Sequence, residues 1–202
     1  MPESTAKAIL NEFIETLRTT LNQVTASRLI LSGNLSGKPP ELDHLYLLFH
    51  NNGNPVPLAG PNQLFLSISL QVRVMADPDD RASVPFRVST DKYLYHVSAG
   101  PDDSGKHQEL LAYHWDPHLR PPEQPYPHLH VGPNVSSGSQ FAPGRFHKLH
   151  LPTGRVSLES VLIFLMEEFD VKPLRGRTRP QALALLRESD NQYFKEQTRR
   201  QP

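Results

Sequence analysis

The sequence of 202 residues predicts an α+β fold, in which an antiparallel β-sheet meander is flanked by an N-terminal amphipathic helix and by C-terminal helices. Apolar residues recur at helical spacing between Ala6 and Val24, which indicates an amphipathic helix. Residues 64–74 alternate strictly between apolar and mostly polar side chains, as in a half-buried strand. Short strand-like runs separated by local turns follow, and such runs pair with their neighbours in antiparallel fashion.

The first half of the chain is predicted to form one helix and three strands. Ser4 is predicted to be the N-cap of the helix. The apolar stripe of the helix consists of Ala6, Ile9, Leu10, Phe13, Ile14, Leu17, Leu21 and Val24. Strands are predicted at residues 28–32, 45–49 and 64–74, and a turn-rich connector at residues 51–61. Residues 77–80 are expected to form a turn.

The second half is predicted to form further short strands and then two helices. Residues 86–88 and 93–97 are expected to be strands, or one strand with a bulge around Thr90 and Asp91. Strands are also predicted at 109–116 and 146–151, with a proline-rich loop around one short strand between them. A helix at 157–169 should be capped by Ser157. The last helix, from Pro180 to about Gln197, has only a weak apolar stripe and is not expected to dock firmly.

Composition limits the classes of function. The 21 basic and 21 acidic residues balance, so no global field attracts nucleic acid. The absence of cysteine excludes disulfides, thiolate metal sites and a cysteine nucleophile. No apolar run approaches the ~18 residues of a membrane span, and a cytoplasmic protein without membrane contact is expected. No Walker loop, dinucleotide-binding glycine pattern or glycine-flanked serine nucleophile is present.

The predicted domain organisation is a single α+β domain at residues 1–171, followed by a basic C-terminal helical extension at residues 172–202. Residues 171–202 contain eight Lys or Arg residues and three acidic residues. Because the charges of the whole chain balance, the preceding part of the chain carries a net negative charge. The extension could contact phosphate groups, or it could present an ordinary solvated helix face.

Histidine is concentrated in one part of the chain, since seven of the ten histidines lie between residues 107 and 150. His128 and His130 alternate on a predicted strand, so both should project from one face with Cβ atoms roughly 7 Å apart. Such a pair could divide the roles of acid and base, or could bind one zinc ion. Alternatively, both histidines have a structural role and form hydrogen bonds with backbone carbonyls.

Neighbouring residues could complete this site. His114 and Asp116 share one face of the preceding strand, where Asp116 could either orient an imidazole or cap the turn before Pro117. Trp115 is either an anchor in the core or a surface on which a base stacks. Arg155, at the start of a predicted helix, could bind an anion there.

The remaining histidines of this region receive weaker interpretations. His147 and His150 are three positions apart in the sequence and should lie on opposite faces of a strand. We expect a structural role for His147 and a place at the periphery of the site for His150. His107 and His118 lie in predicted loops and are assigned no role.

Between about residues 86 and 171 the chain carries a tyrosine-bearing strand, a strand ending in Trp-Asp, a Pro-His-Leu-His strand and a closing helix from Ser157. This order resembles that of the small TumE-type toxin-like proteins of prokaryotic toxin–antitoxin loci. The matching residues are Tyr93, Tyr95, Trp115, Asp116, Pro127, His128, His130 and Gly132. The resemblance implies cleavage of RNA or a related phosphodiester and an antitoxin partner. Residues 1–85, the loop at 133–144 and the basic tail are additions to that pattern.

Three functional hypotheses follow. The first is a toxin-like endoribonuclease without a cofactor, in which His128 and His130 act as base and acid, Asp116 orients an imidazole and Arg155 stabilises the phosphorane. The second is a zinc hydrolase in which His114 or Asp116 joins His128 and His130 as a ligand. The third is a partner-binding module whose histidines are structural.

Overall fold

In the part of the chain that the structure describes, eight antiparallel strands form one sheet, and three helices accompany it. The computed structural model describes residues 2–32, 45–49, 53–76, 86–101, 105–120, 126–132, 150–174 and 176–191. The helices are α1 (Pro2–Leu21), α2 (Leu158–Glu168) and α3 (Arg179–Ser189). The strands are β1 (Leu29–Ser32), β2 (Leu45–Phe49), β3 (Val56–Pro57), β4 (Leu64–Ala76), β5 (Phe86–Pro101), β6 (His107–Trp115), β7 (His128–Val131) and β8 (His150–Pro152).

The strand order is β1-β2-β4-β5-β6-β7-β8, and β3 also pairs with β4. All the pairs are antiparallel, and the part from β4 to β8 is a meander of sequential neighbours. The predicted α+β fold, with an N-terminal helix and C-terminal helices beside an antiparallel sheet, is therefore confirmed. Within the described part of the chain, no helix combines the length and apolar character needed to cross a bilayer.

The two faces of the sheet differ in what covers them. One face carries Ile68, Tyr95 and Tyr113 in register, and its buried residues form a single core with apolar residues of all three helices. We call it the helix-covered face. The other carries Ser69, Leu94 and His114 in register, and Leu94 is 40% exposed there. We call this second face the histidine face.

A β-bulge interrupts the pairing of the two longest strands. Gln71 lies opposite Lys92, whereas the next residue, Val72, lies opposite Thr90. Asp91 is therefore the extra residue on β5, which is the arrangement of a bulge. Of the two alternatives that the sequence leaves open, one continuous strand with a bulge at this point is confirmed.

Most predicted strands and the capped helix are confirmed, with three corrections. Ser157 caps α2, because its Oγ accepts a hydrogen bond from the Ser160 N–H at 2.9 Å. Helix α1 begins at Pro2, so Ser4 lies inside its first turn instead of preceding it. The connector at 51–61 contains the short strand β3, because its Val56 pairs with Leu66.

Helix α3 provides the third correction, because it docks firmly. Ala182 and Leu186 are 0% and 1% exposed, and both belong to the common core. Two buried residues suffice here because α1 and α2 both pack against this helix. The predicted turn at 77–80, the loop at 133–144, residues 146–149 of the predicted strand 146–151 and residues 192–202 of the basic extension lie outside the described residues.

Candidate metal centre

Strand pairing brings three histidines onto one face of the sheet. His128 on β7 lies directly opposite His114 on β6, and His130 lies opposite Ala112. Directly opposite residues of an antiparallel pair project from the same face, and so do residues two apart on a strand. His114, His128 and His130 therefore share the histidine face. The alternation of residues 128 and 130 predicts this for two of them, and the register between strands adds the third.

The three imidazoles lie in mutual contact. One ring nitrogen from each of His114, His128 and His130 lies within 4.8 Å of the other two. The closest approach joins the Nε2 atoms of His128 and His130, which are 2.8 Å apart. The ring centroid of His114 is 5.1 Å from that of His128 and 6.3 Å from that of His130. His128 is 1% exposed, whereas the other two are partly exposed.

A backbone carbonyl fixes the tautomer of the buried ring. The Nδ1 atom of His128 lies 2.7 Å from the carbonyl oxygen of Tyr126. Because a carbonyl oxygen only accepts, Nδ1 must carry a proton, so in the neutral form of the ring the lone pair is on Nε2, beside His130. His130 then either donates its own Nε2–H to that lone pair, or both nitrogens face a common cation. Metal-binding histidines ordinarily have such a second-nitrogen hydrogen bond to a carbonyl.

Strand β7 is held closely at both ends. The Gly132 N–H donates to the Leu110 carbonyl at 2.7 Å, and the Thr153 N–H donates to the Pro127 carbonyl at 2.9 Å. A Cβ atom on Gly132 would lie only 1.8 Å from the Glu109 carbonyl oxygen, so a side chain cannot be accommodated without moving the backbone. These contacts position His128 and His130 against their neighbours on β6.

Asp116 caps a turn. Its Oδ1 accepts a hydrogen bond from the His118 backbone N–H at 3.0 Å, and its Oδ2 lies 3.4 Å from Lys92 Nζ. Burial raises the pKa of the Asp116 carboxyl, but the His118 N–H and the Lys92 ammonium outweigh this effect and bring the pKa below its ordinary value. These contacts support the turn-capping interpretation over the orientation of an imidazole.

Arg155 lies against the helix-covered face. Its guanidinium carbon is 3.7 Å from the centroid of the Trp115 ring, which is a cation–π distance. Trp115 is 6% exposed and contacts Tyr93, so it is the core anchor that one interpretation expects. Because consecutive strand residues project from opposite faces, Trp115 points away from His114. The structure therefore places Arg155 with Trp115 and not among the three histidines.

A second cluster of titratable side chains lies beside the β5 bulge. Asp91 is 4% exposed, and its carboxylate lies 3.4 Å from both Gln71 Nε2 and His118 Nε2 and 3.7 Å from Arg73 Nε. The imidazole of His118 is 67% exposed. We call Asp91 and His118 the Asp91–His118 pair. The sequence gives no signal for it, because the two residues are joined only through the pairing of β5 with β6.

The other histidines of the region are structural or only partly described. His107 is the first residue of β6 and not part of a loop, and its ring packs edge-on against Phe65 at 4.4 Å. The residue is held in the strand because it pairs with Pro101. The backbone of His150 begins β8 opposite His130, and His147 lies outside the described residues.

Comparison of the chain with models of protein families, with curated proteins and with solved structures gives no match. The case for a function therefore depends on the geometry of this centre.

Proposed function

We propose that the protein binds a divalent metal ion of the zinc class at His114, His128 and His130 and acts as a metal-dependent hydrolase. The observation that carries the proposal is the convergence of three imidazole nitrogens within 4.8 Å. The hydrogen bond from His128 Nδ1 to the Tyr126 carbonyl supports it, because it leaves a lone pair pointing into the cluster.

The spacing of the nitrogens is compatible with a metal ion. Zinc–nitrogen bonds of about 2.1 Å in tetrahedral geometry separate two ligand nitrogens by about 3.4 Å. The observed separations, 2.8 Å at the closest and at most 4.8 Å, bracket that value. Small rotations of partly exposed side chains such as His114 and His130 are enough to close the difference.

The chemistry of the donors indicates the class of metal and its role. Imidazole suits zinc, copper, nickel and iron better than it suits magnesium or calcium. Three protein ligands with a further open position are the arrangement of catalytic zinc sites, where the ion lowers the pKa of a bound water. Hydrolysis is thus the reaction class that this donor set supports best.

The same geometry is less suited to acid–base catalysis by the bare histidine pair. A general acid and a general base must contact the reacting group from different sides, within about 3 Å of it. The Nε2 atoms of His128 and His130 are already in contact at 2.8 Å, and no substrate atom fits between them. A metal ion, by contrast, is bound by converging nitrogens.

Metal analysis and calorimetry test the proposal. Protein prepared without a histidine tag should contain close to one zinc ion per chain, and the metal-free protein should bind zinc in titration calorimetry. His130→Ala and His114→Ala should weaken zinc binding at least tenfold, as expected for loss of a ligand. His107→Ala is the matched control, because His107 lies at the far end of β6 and packs against Phe65. Affinity in His130→Ala equal to that of the parent would refute the metal centre.

The toxin-like ribonuclease that the resemblance of residues 86–171 implies is a second candidate, although the contact between His128 and His130 is less suited to it. It includes an RNA substrate, an antitoxin partner and a cytoplasmic location. RNA cleavage by protein stripped of metal with EDTA, and its loss in His130→Ala, would select this candidate. Zinc binding without hydrolysis of any ester would instead select a structural metal in a partner-binding module.

A further inference from the structure

We infer that the open coordination position of the three-histidine centre lies above Ala112, and that His96, positioned by Glu109, is the base for a water held there. The inference rests on the proposed metal-dependent hydrolase. It adds to that function the place where water binds and the group that takes its proton.

Four neighbouring side chains of the histidine face form a rectangle. His114 on β6 lies opposite His128 on β7, and Ala112, two residues before His114, lies opposite His130. Directly opposite side chains have Cβ atoms about 5 Å apart, and residues two apart on a strand are separated by about 7 Å. Three corners of the rectangle are therefore imidazoles, and the fourth is a methyl group. An ion bound by the three imidazoles has its remaining position toward the fourth corner.

Ala112 is the smallest side chain of the rectangle. The residue is only 5% exposed although its side chain ends at Cβ, so neighbouring side chains and not solvent surround the methyl group. The difference in length between a methyl group and an imidazole is enough for one water. Because bulk solvent is excluded there, a group that contacts this water interacts with it more strongly than it would at an open surface.

His96 borders the same corner from the next strand. It lies opposite Ala112 on β5, so the two Cβ atoms are about 5 Å apart and project from the same face. The length of an imidazole and a hydrogen bond of about 2.8 Å together span this distance. The side chain of His96 is 27% exposed, so the ring lies partly buried within the face. His96 is therefore within reach of a water above Ala112.

Another β-bulge brings a carboxylate to the histidine face. Val97 lies opposite Leu111. The next residue, Ser98, lies opposite Glu109, so Leu110 is the extra residue on β6. Without this extra residue, alternation would place Glu109 on the helix-covered face. Bulges commonly redirect side chains beside active sites in this way.

Glu109 positions the imidazole of His96. Its Oε2 lies 3.1 Å from the buried Nε2 atom of His96, although the two groups are not aligned as a hydrogen bond. A carboxylate only accepts, so a small rotation that aligns them requires the proton on Nε2. The neutral ring then has its lone pair on Nδ1, to which no described residue donates a hydrogen bond. An imidazole oriented by a carboxylate in this way is suited to act as a general base.

Hydrolysis by this arrangement balances its protons. The water gives one proton to His96 Nδ1 while its oxygen adds to the electrophilic atom of the ester. The bond from that atom to the leaving oxygen breaks, and the leaving oxygen takes the proton from Nδ1. The ring thereby returns to its starting tautomer, and no co-reactant other than water is needed.

Cobalt substitution tests the open position. Cobalt(II) binds to donors that bind zinc, and its visible absorption changes when a small anion such as azide occupies an open position. Azide should change the spectrum of the cobalt-loaded parent in a saturable way. Ala112→Val should keep the affinity for cobalt but bind azide at least about tenfold more weakly, because the added methyl groups fill the space. Ala99→Val, at a half-buried position on β5, is the matched control.

Hydrolysis of p-nitrophenyl acetate tests the base. In the zinc-loaded protein, His96→Gln should lower kcat at least about a hundredfold, the usual contribution of proton transfer, with little change in KM. The affinity for zinc should equal that of the parent. Because the ring of His96 is partly exposed, this variant tests the inference independently of the packing around Ala112. His107→Gln is the control and should keep the kcat of the parent, because His107 packs against Phe65.

A spectroscopic measurement tests the positioning role of Glu109. Nitrogen-15 shifts of the neutral His96 ring should report the Nε2-protonated tautomer in the parent, and Glu109→Ala should abolish that preference. A tautomer unaffected by the substitution would overturn this role.

The outcomes separate this inference from the proposed function. Azide affinity in Ala112→Val equal to that of the parent would overturn the position above Ala112, and an unchanged kcat in His96→Gln would overturn the base. Both results leave the metal centre in place. A parent that binds neither zinc nor cobalt would overturn the metal centre itself, and a zinc-loaded parent that does not cleave the ester would overturn the hydrolase and its base together.

Discussion

Replacement of Gly132 by alanine should destabilise the junction of β6 and β7 that positions two of the histidines. The new Cβ would lie 1.8 Å from the Glu109 carbonyl oxygen, whereas an ordinary carbon–oxygen contact is about 3.3 Å. The two backbones must therefore separate by about 1.5 Å. The Gly132 N–H bond to the Leu110 carbonyl, now 2.7 Å, would then exceed the length of a hydrogen bond.

Overpacking costs about 1–3 kcal/mol and a lost buried hydrogen bond a similar amount, so we expect a loss of about 3–4 kcal/mol in the free energy of unfolding. For a domain of this size the melting temperature should fall by roughly 10 °C. Urea unfolding followed by the fluorescence of Trp115, the single tryptophan, measures the change. Gly154→Ala is the matched control, because its Cβ would meet no atom within 4 Å. Stability of Gly132→Ala within about 0.5 kcal/mol of the parent would refute the argument.

Three further predictions concern ionisation, hydrogen bonding and metal binding. Burial raises the pKa of Glu159, although hydrogen bonds from Ser189 and Thr20 oppose the shift. Since the native carboxyl holds its proton more tightly than the unfolded one, the free energy of unfolding should fall as pH rises from about 4 through the raised native pKa. Glu159→Gln should remove this fall in urea titrations, and the exposed Glu168→Gln should retain it. Tyr93→Phe should lower the free energy of unfolding by about 1–2 kcal/mol in the same assay, because the Val156 N–H, which donates to the phenol oxygen at 3.0 Å, loses its acceptor. An unchanged urea midpoint would count against that hydrogen bond. Zinc at a hundred times its dissociation constant should raise the free energy of unfolding of the parent by about 2.7 kcal/mol, but not that of His130→Ala. Equal stabilisation of the two proteins would show that zinc binds elsewhere.

Helices, strands and their faces could be read largely from local periodicity. The alternation across residues 64–74 predicts β4 and its buried side, and Ser157 marks the start of α2. Even the bulge at Asp91 was one of two alternatives that the pattern around Thr90 leaves open. These features depend on spacing within one segment, where backbone geometry fixes which side chains share a face.

The composition of the candidate site could be predicted only in part, because it depends on how separate segments pair. His128 and His130 share a face by their spacing, but only the register of β6 with β7 brings His114 to them. Trp115 and Arg155 stack on the helix-covered face because alternation carries Trp115 away from His114. His118 gains a partner through the fold, since Asp91 lies on a different strand.

The sequence by itself determined the fold class, the strands and the histidine pair, because a periodicity of 2.0 or 3.6 residues acts within a single element. The tertiary structure alone decided that three imidazoles converge, that Arg155 lies apart from them and that α3 is anchored by Ala182 and Leu186. The physical reason is that register between strands and packing between helices are set by contacts between residues far apart in the chain, which no local pattern records.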